Sequence, residues 1–97
     1  MAKLNDTELE AALESLPGWT LVNGKMHREY AFADFVHAFG FMATSAIAIE
    51  AMEHHPEWSN VWNKVTVDLT THDLGGITSK DILLANKLEA IAKKLQG

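Results

Sequence analysis

The chain is 97 residues long, 47% hydrophobic and 22% charged, with a formal net charge of −5. That length suits one domain over residues 1–97, with a thin margin of stability that oligomerisation would widen. The excess of acid over only 8 Lys and Arg argues against a nucleic-acid or membrane partner, and the absence of cysteine excludes disulfides and thiolate metal sites, as suits a cytoplasmic chain.

The opening Met1-Ala2-Lys3-Leu4-Asn5-Asp6-Thr7-Glu8 has no apolar run after its lysine and so lacks the pattern of a signal peptide. Asn5 or Asp6 can cap a helix over about Thr7–Leu16, with Leu9, Leu13 and Leu16 on one face and Pro17-Gly18 ending it. Trp19–Val22 reads as a strand. Asn23-Gly24 is a strong hairpin signal, because a type I′ turn needs positive φ at both positions. Lys25–Phe32 is the return strand, with Met26, Arg28 and Tyr30 on one face.

A long helix is predicted over about Ala33–Met52. Phe35, Phe39, Met42, Ala46 and Ile49 make one stripe, widened by Phe32, Val36, Ala43 and Ile47. A helix apolar around so much of its circumference is buried on more than one side, by a thick core or by a second subunit. Its longest uncharged stretch, Ala38–Ile49, is short for a membrane span. Pro56 then stops helix propagation and pushes His55 toward extended backbone. Ser59–Thr71 is strand-like, with Val61, Val65, Val67 and Leu69 sharing one parity and Asn63-Lys64 able to split it. After the loop Asp73–Gly76, Thr78 and Asp81 have the spacing of a capping box. Leu83, Leu84, Lys87, Leu88, Ile91 and Leu95 continue a helix to the end. The order helix, hairpin, helix, strands, helix is α+β, with helices on an antiparallel sheet.

Chemistry gathers in three places: Glu50, Glu53, His54 and His55 around the end of the long helix; His72 at a strand end; and Asp81 in the first turn of the last helix. Histidine can give and take protons near neutral pH. Glu50 and His54, four apart, would share a face if the helix runs that far, and a carboxylate there would orient the ring. Simpler roles exist for each: a solvated Glu50, histidines that suit the negative end of a helix dipole, an Asp81 that only caps. A metal site could draw on Glu50, Glu53, His54, His55 and His72. Adjacent histidines in extended chain point to opposite faces, however, and zinc sites favour helical histidines three or four apart.

Glu53-His54-His55-Pro56-Glu57-Trp58, then Val61-Trp62-Asn63-Lys64-Val65, Leu69-Thr70-Thr71-His72 and Gly76-Ile77-Thr78-Ser79-Lys80-Asp81 resemble, in that order, the signature of the pterin-4a-carbinolamine dehydratases. The resemblance extends through the flanking helices and Pro17-Gly18-Trp19 to nearly the whole chain. It implies the order α-β-β-α-β-β-α, a four-stranded antiparallel sheet covered by helices, with Trp58–Leu69 split near Asn63-Lys64. It implies a homodimer or homotetramer, no metal and no organic cofactor, and dehydration of 4a-hydroxytetrahydropterin to quinonoid dihydropterin in tetrahydropterin recycling after aromatic amino acid hydroxylation. By resemblance, His54 and His72 transfer protons, Glu50 orients His54, His55 binds the pterin, Trp58 walls it, and Asp81 fixes His72 or the substrate. Glu53 stands where aspartate often precedes the histidine pair, and Trp62 where tyrosine is common. Two other readings are a protein-interaction module working through the apolar helix, as family members do in animals for a homeodomain transcription factor, and a His/carboxylate metal hydrolase.

Overall fold

A computed structural model describes residues 2–96, so Met1 and Gly97, the outermost residues of the expected domain, lie outside the described residues. The first helix, α1 (Asp6–Glu14), starts on a complete capping box: the Asn5 side chain accepts from the Glu8 amide while the Glu8 carboxylate accepts from the Asn5 amide. The hairpin follows as β1 (Thr20–Val22) and β2 (Lys25–Ala31). At its tip Asn23 and Gly24 take φ of 53° and 77°, as a type I′ turn requires.

Helix α2 (Phe35–Met52) is capped by the Asp34 carboxylate, which accepts from the His37 amide. Strands β3 (Glu57–Val61) and β4 (Lys64–Leu69) form a second hairpin, and the chain ends in α3 (Ser79–Gln96). The four strands lie in the order β1-β2-β4-β3, antiparallel throughout. This is the α+β fold expected from the sequence, with the break in Ser59–Thr71 at Trp62-Asn63. The break flips Val61. A two-residue turn pairs Val61 with Lys64 and Asn60 with Val65, so Trp58, Asn60, Val65, Val67 and Leu69 share a face and Val61 points away, exposed.

Helices α2 and α3 pack on each other, with α2 also against β4. The inner stripe of α2 is Ala38, Phe41, Ser45 and Ile49; that of α3 is Asp81, Leu84, Ala85, Leu88 and Ala92. Both follow a three–four residue repeat, and their alanines and serine allow close approach. Phe41 stacks near Tyr30 at 4.9 Å and Phe32 at 5.2 Å between ring centroids. The stripe expected on α2 is therefore rotated. Phe35, Phe39 and Ala46 face outward with Val36 and Ile47, the last two 73% and 75% exposed, because the aromatic contacts with the sheet are made by Phe41. At 18 residues and a mean hydropathy of 1.4, α2 has the length and composition of a membrane span, yet its inner stripe belongs to the same core as the sheet.

One polar group ties core to helix. Glu89 Oε1 accepts from the Tyr30 hydroxyl (2.7 Å), the Trp19 indole (2.8 Å) and Arg28 Nε (3.0 Å). Burial, and then the Glu89 carboxylate, push the Tyr30 phenol well above its ordinary value.

Candidate active site

The C-terminus of α2 decides where the histidines go. The Glu53 amide donates to the Glu50 carbonyl and the His54 amide to that of Ile49, with Glu53 at φ 53°. This is a Schellman turn carrying a glutamate where glycine is usual. It ends the helix before His54, so Glu50 and His54 never share a helical face. Glu50 instead accepts from His55 Nε2 at 3.0 Å, an exposed pair.

The left-handed residue turns His54 inward, toward the first turn of α3. There His54 Nε2 donates to Asp81 Oδ1 at 2.6 Å, with His54 9% and Asp81 0% exposed. Asp81 lies on the buried stripe of α3, one turn before Leu84 and Ala85. Its other oxygen, Oδ2, accepts from the Thr78 amide (2.9 Å) and the Thr71 hydroxyl (2.8 Å). Because Thr71 gives its hydrogen to Asp81, Thr78 must donate across the 2.8 Å contact to Thr71, and Thr78 in turn accepts from the Lys80 amide. Half of the expected capping box exists, since the Asp81 carboxylate accepts from the Thr78 amide while the Thr78 hydroxyl serves the Lys80 amide, but Asp81 does more than cap. With both oxygens occupied and no exposed surface it can touch neither His72 nor a substrate. Its geometry makes it the group that orients His54.

His72 opens a single turn of 3-10 helix (His72–Leu74) just after β4, where a bridge between Thr71 and Gly76 closes the loop. Its ring is exposed, and Nε2 donates to Glu57 Oε2 at 2.8 Å. Glu57 Oε1 accepts from Lys25 Nζ at 2.6 Å. The Lys25 ammonium, and then His72, hold the Glu57 carboxyl below the usual carboxylate range.

All three histidines line one cleft of about 570 Å³, together with Glu53, Pro56, Glu57, Thr70, Thr71, Asp73, Leu74 and Lys80. That volume lies within the roughly 300–1,000 Å³ typical of small-molecule sites. Each ring is tied through Nε2 to its own carboxylate, which leaves Nδ1 as the second ring nitrogen for chemistry. Among the described residues no group of three or more His, Asp or Glu converges to hold a metal ion. Trp58 does not line this cleft; strand alternation from Glu57 turns its side chain to the helix side of the sheet, where it packs against the core.

Glu57, Thr71 and Lys80 are site residues that sequence reasoning passed over. Glu57 stood in plain view after His54-His55-Pro56, but its partners depend on strand order, with Lys25 reaching it past β4. The signal for Asp81 was stronger: an acid in phase with Leu84, Leu88 and Ala92 must be buried.

The profile of the family described as pterin 4 alpha carbinolamine dehydratase matches residues 2–91. A provisionally named pterin-4-alpha-carbinolamine dehydratase of Solibacter usitatus is 62% identical over 90 residues, 93% of this chain and 95% of that protein. Another, from Rhodopseudomonas palustris, is 50% identical over 95 residues, 96% and 94% of the two chains. Among solved structures, a transcriptional coactivator/pterin dehydratase from Brucella melitensis matches with a TM-score of 0.89 and 46% identity, covering 93% of this chain and 98% of its own. Agreement of profile, sequence and backbone over nine-tenths of the chain, in the order the histidine signature suggested, shows that this protein belongs to the pterin-4a-carbinolamine dehydratase family.

Proposed function

We propose that the protein dehydrates 4a-hydroxytetrahydropterin to quinonoid dihydropterin. The reaction breaks the C4a–O bond and forms C4a=N5. One proton goes to the departing hydroxyl and one leaves N5, so water is released with no net gain or loss of protons by the protein. Two groups that titrate near neutrality suit this exchange, and each well-placed acid or base contributes roughly 10²–10⁴-fold. His54 and His72 are the proton-transfer pair, and His55, exposed at the mouth, holds the pterin.

The observation that carries this reading is the buried His54–Asp81 pair opening into the same cleft as His72. A carboxylate fixed by two further donors sets both the ring orientation and the tautomer of His54. The test is turnover of 4a-hydroxytetrahydropterin by purified protein. Loss of activity in His54→Ala with the fold intact supports the reading; a wild-type protein that does not accelerate dehydration sinks it.

The outward face of α2 favours self-association as a homodimer or homotetramer. Phe35, Val36, Phe39 and Ile47 lie exposed on one helix, a contiguous apolar surface of the kind that marks an interface. The same face would serve a protein-binding role independent of the histidines. His54→Ala separates the two, since it should abolish dehydration and leave association unchanged.

A further inference from the structure

We propose that Glu57 is a positioning residue for His72, held in place by Lys25, so that a Lys25–Glu57–His72 chain does for the exposed histidine what Asp81 does for the buried one. The proposal rests on the dehydratase reading for its catalytic consequence, though not for its geometry.

His72 has little else to fix it. Its side chain is 66% exposed and sits on a one-turn 3-10 segment, so the ring would sample several rotamers. Among the described residues the one hydrogen-bonded partner of the ring is Glu57 Oε2, at 2.8 Å. Glu57 is itself constrained. Pro56 precedes it, β3 begins at it, and its register partner on β4 is Asp68. Two carboxylates directly opposite each other destabilise a strand pair. Here each has its own basic neighbours: Asp68 accepts from His27 Nδ1 at 2.8 Å, and Glu57 accepts from Lys25 and His72. Lys25 sits just after the Asn23-Gly24 turn, one residue before the Met26–Leu69 pair, which lets its side chain pass the end of β4 and reach Glu57. The ammonium engages one oxygen and leaves the other for the ring.

Two consequences follow. Donation from Nε2 to Glu57 leaves Nδ1 of His72 to exchange the proton with substrate, the same nitrogen left free on His54. The two chains also differ in their response to salt. Lys25 and Glu57 are partly exposed, so added salt screens their pairing, whereas the His54–Asp81 contact lies out of reach of ions.

The test reads the nitrogen chemical shifts of the histidine rings by NMR and measures turnover in wild type, Glu57→Gln and Lys25→Met. Glu57→Gln is expected to shift the His72 ring from its Nε2-protonated tautomer toward a mixture of the two, while leaving the ring signals of His54 in place. It should also cut kcat by about tenfold with KM unchanged, and Glu57→Asp should restore part of the loss. Lys25→Met, which loosens Glu57 without removing it, should lower kcat less. Unmoved His72 ring nitrogen shifts in Glu57→Gln overturn the proposal, as do moved shifts with full kcat. A merely structural strand tie predicts equal losses of thermal stability in Glu57→Gln and Lys25→Met with kcat intact. Absence of turnover by the wild type would strike the dehydratase reading instead, and it is seen separately from the ring shifts.

Discussion

Asp81→Asn isolates what the buried carboxylate does for His54. The substitution keeps shape and volume but replaces one oxygen with an NH₂ group. The Thr78 amide can only donate, and it points at Oδ2. The asparagine oxygen must therefore occupy that side, where it also keeps the Thr71 hydroxyl. The NH₂ then faces His54 Nε2 at the 2.6 Å position, and two N–H groups cannot share that contact. His54 resolves the conflict by moving its hydrogen to Nδ1, which turns the nitrogen left for the substrate from an acceptor into a donor. A hydrogen bond to a charged group contributes about 1.5–3 kcal/mol and a neutral one about 0.5–1.5, so the loss of stability is about 1–2 kcal/mol. In a domain of this size that lowers Tm by roughly 4–16 °C.

The catalytic loss is larger, because a ring in the wrong tautomer cannot perform its proton transfer; the same exchange in a Ser-His-Asp triad costs about 10⁴-fold. The expected fall in kcat is roughly 10²–10⁴-fold. The assay is dehydration of 4a-hydroxytetrahydropterin below the Tm of the variant, alongside nitrogen chemical shifts of the His54 ring to read its tautomer. The cycle with His54→Ala closes the logic. If Asp81 acts through His54, Asp81→Asn adds nothing to the rate loss of His54→Ala, although the two sites are in contact and would otherwise each contribute. A rate within threefold of wild type, or a further loss on the His54→Ala background, refutes the reasoning.

His54→Ala and His72→Ala should each slow dehydration by about 10²-fold or more, whereas His55→Ala should raise KM with a smaller change in kcat; steady-state kinetics on the three variants decide this. Phe39→Asp on the outward face of α2 should shift the protein toward monomer with its fold retained, because Phe39 takes no part in the core; an unchanged mass by light scattering would count against assembly through α2. Stability should fall in alkali. The Tyr30 phenol is raised in the folded protein, so its contribution is complete below the ordinary value of 10.0 and is lost as pH climbs toward the higher folded value. Urea midpoints from pH 8 to 11 should show this decline in wild type and a flatter profile in Tyr30→Phe.

Local chemistry made much of the fold legible. Asn23-Gly24 could form little but a type I′ hairpin, Pro17-Gly18 and Pro56 could only end helices, and Thr78 with Asp81 announced a helix start. Two misreadings share one physical origin. The sequence of α2 is apolar on nearly every side, so periodicity could not say which stripe meets the sheet; Phe41, Ser45 and Ile49 do, and Phe39 does not. The alternation that puts Val61 in phase with Val65, Val67 and Leu69 is inverted by a two-residue turn at Trp62-Asn63. The pairing of Glu50 with His54 failed for a similar reason. Spacing of four residues has meaning only inside a helix, and the left-handed Glu53 ends α2 one residue before His54. The histidines could be singled out from sequence, but their carboxylate partners lie 27 and 15 residues away for His54 and His72, and only the packing of α3 and the strand order bring them in.

What the structure adds is a gradient of solvation across three otherwise alike pairs. His54–Asp81, His72–Glu57 and His55–Glu50 each join Nε2 to a carboxylate at 2.6–3.0 Å. Asp81 has no exposure and Glu50 is almost fully in water. A charge pair in water is screened and worth little, while one held in a dry, hydrogen-bonded frame keeps its geometry. The exposed pair at His55 suits binding, which tolerates a mobile ring. The buried pair at His54 suits proton transfer, which needs one nitrogen in one place. His72 stands between them, exposed yet tied through Glu57 to Lys25, so its restraint should weaken with salt and with protonation of Glu57 below the usual carboxylate range, while that of His54 persists. On the proposed dehydration, a pterin entering this cleft would meet one fixed ring and one adjustable ring, which suits the movement of two protons at two atoms whose separation changes as the C4a–O bond lengthens.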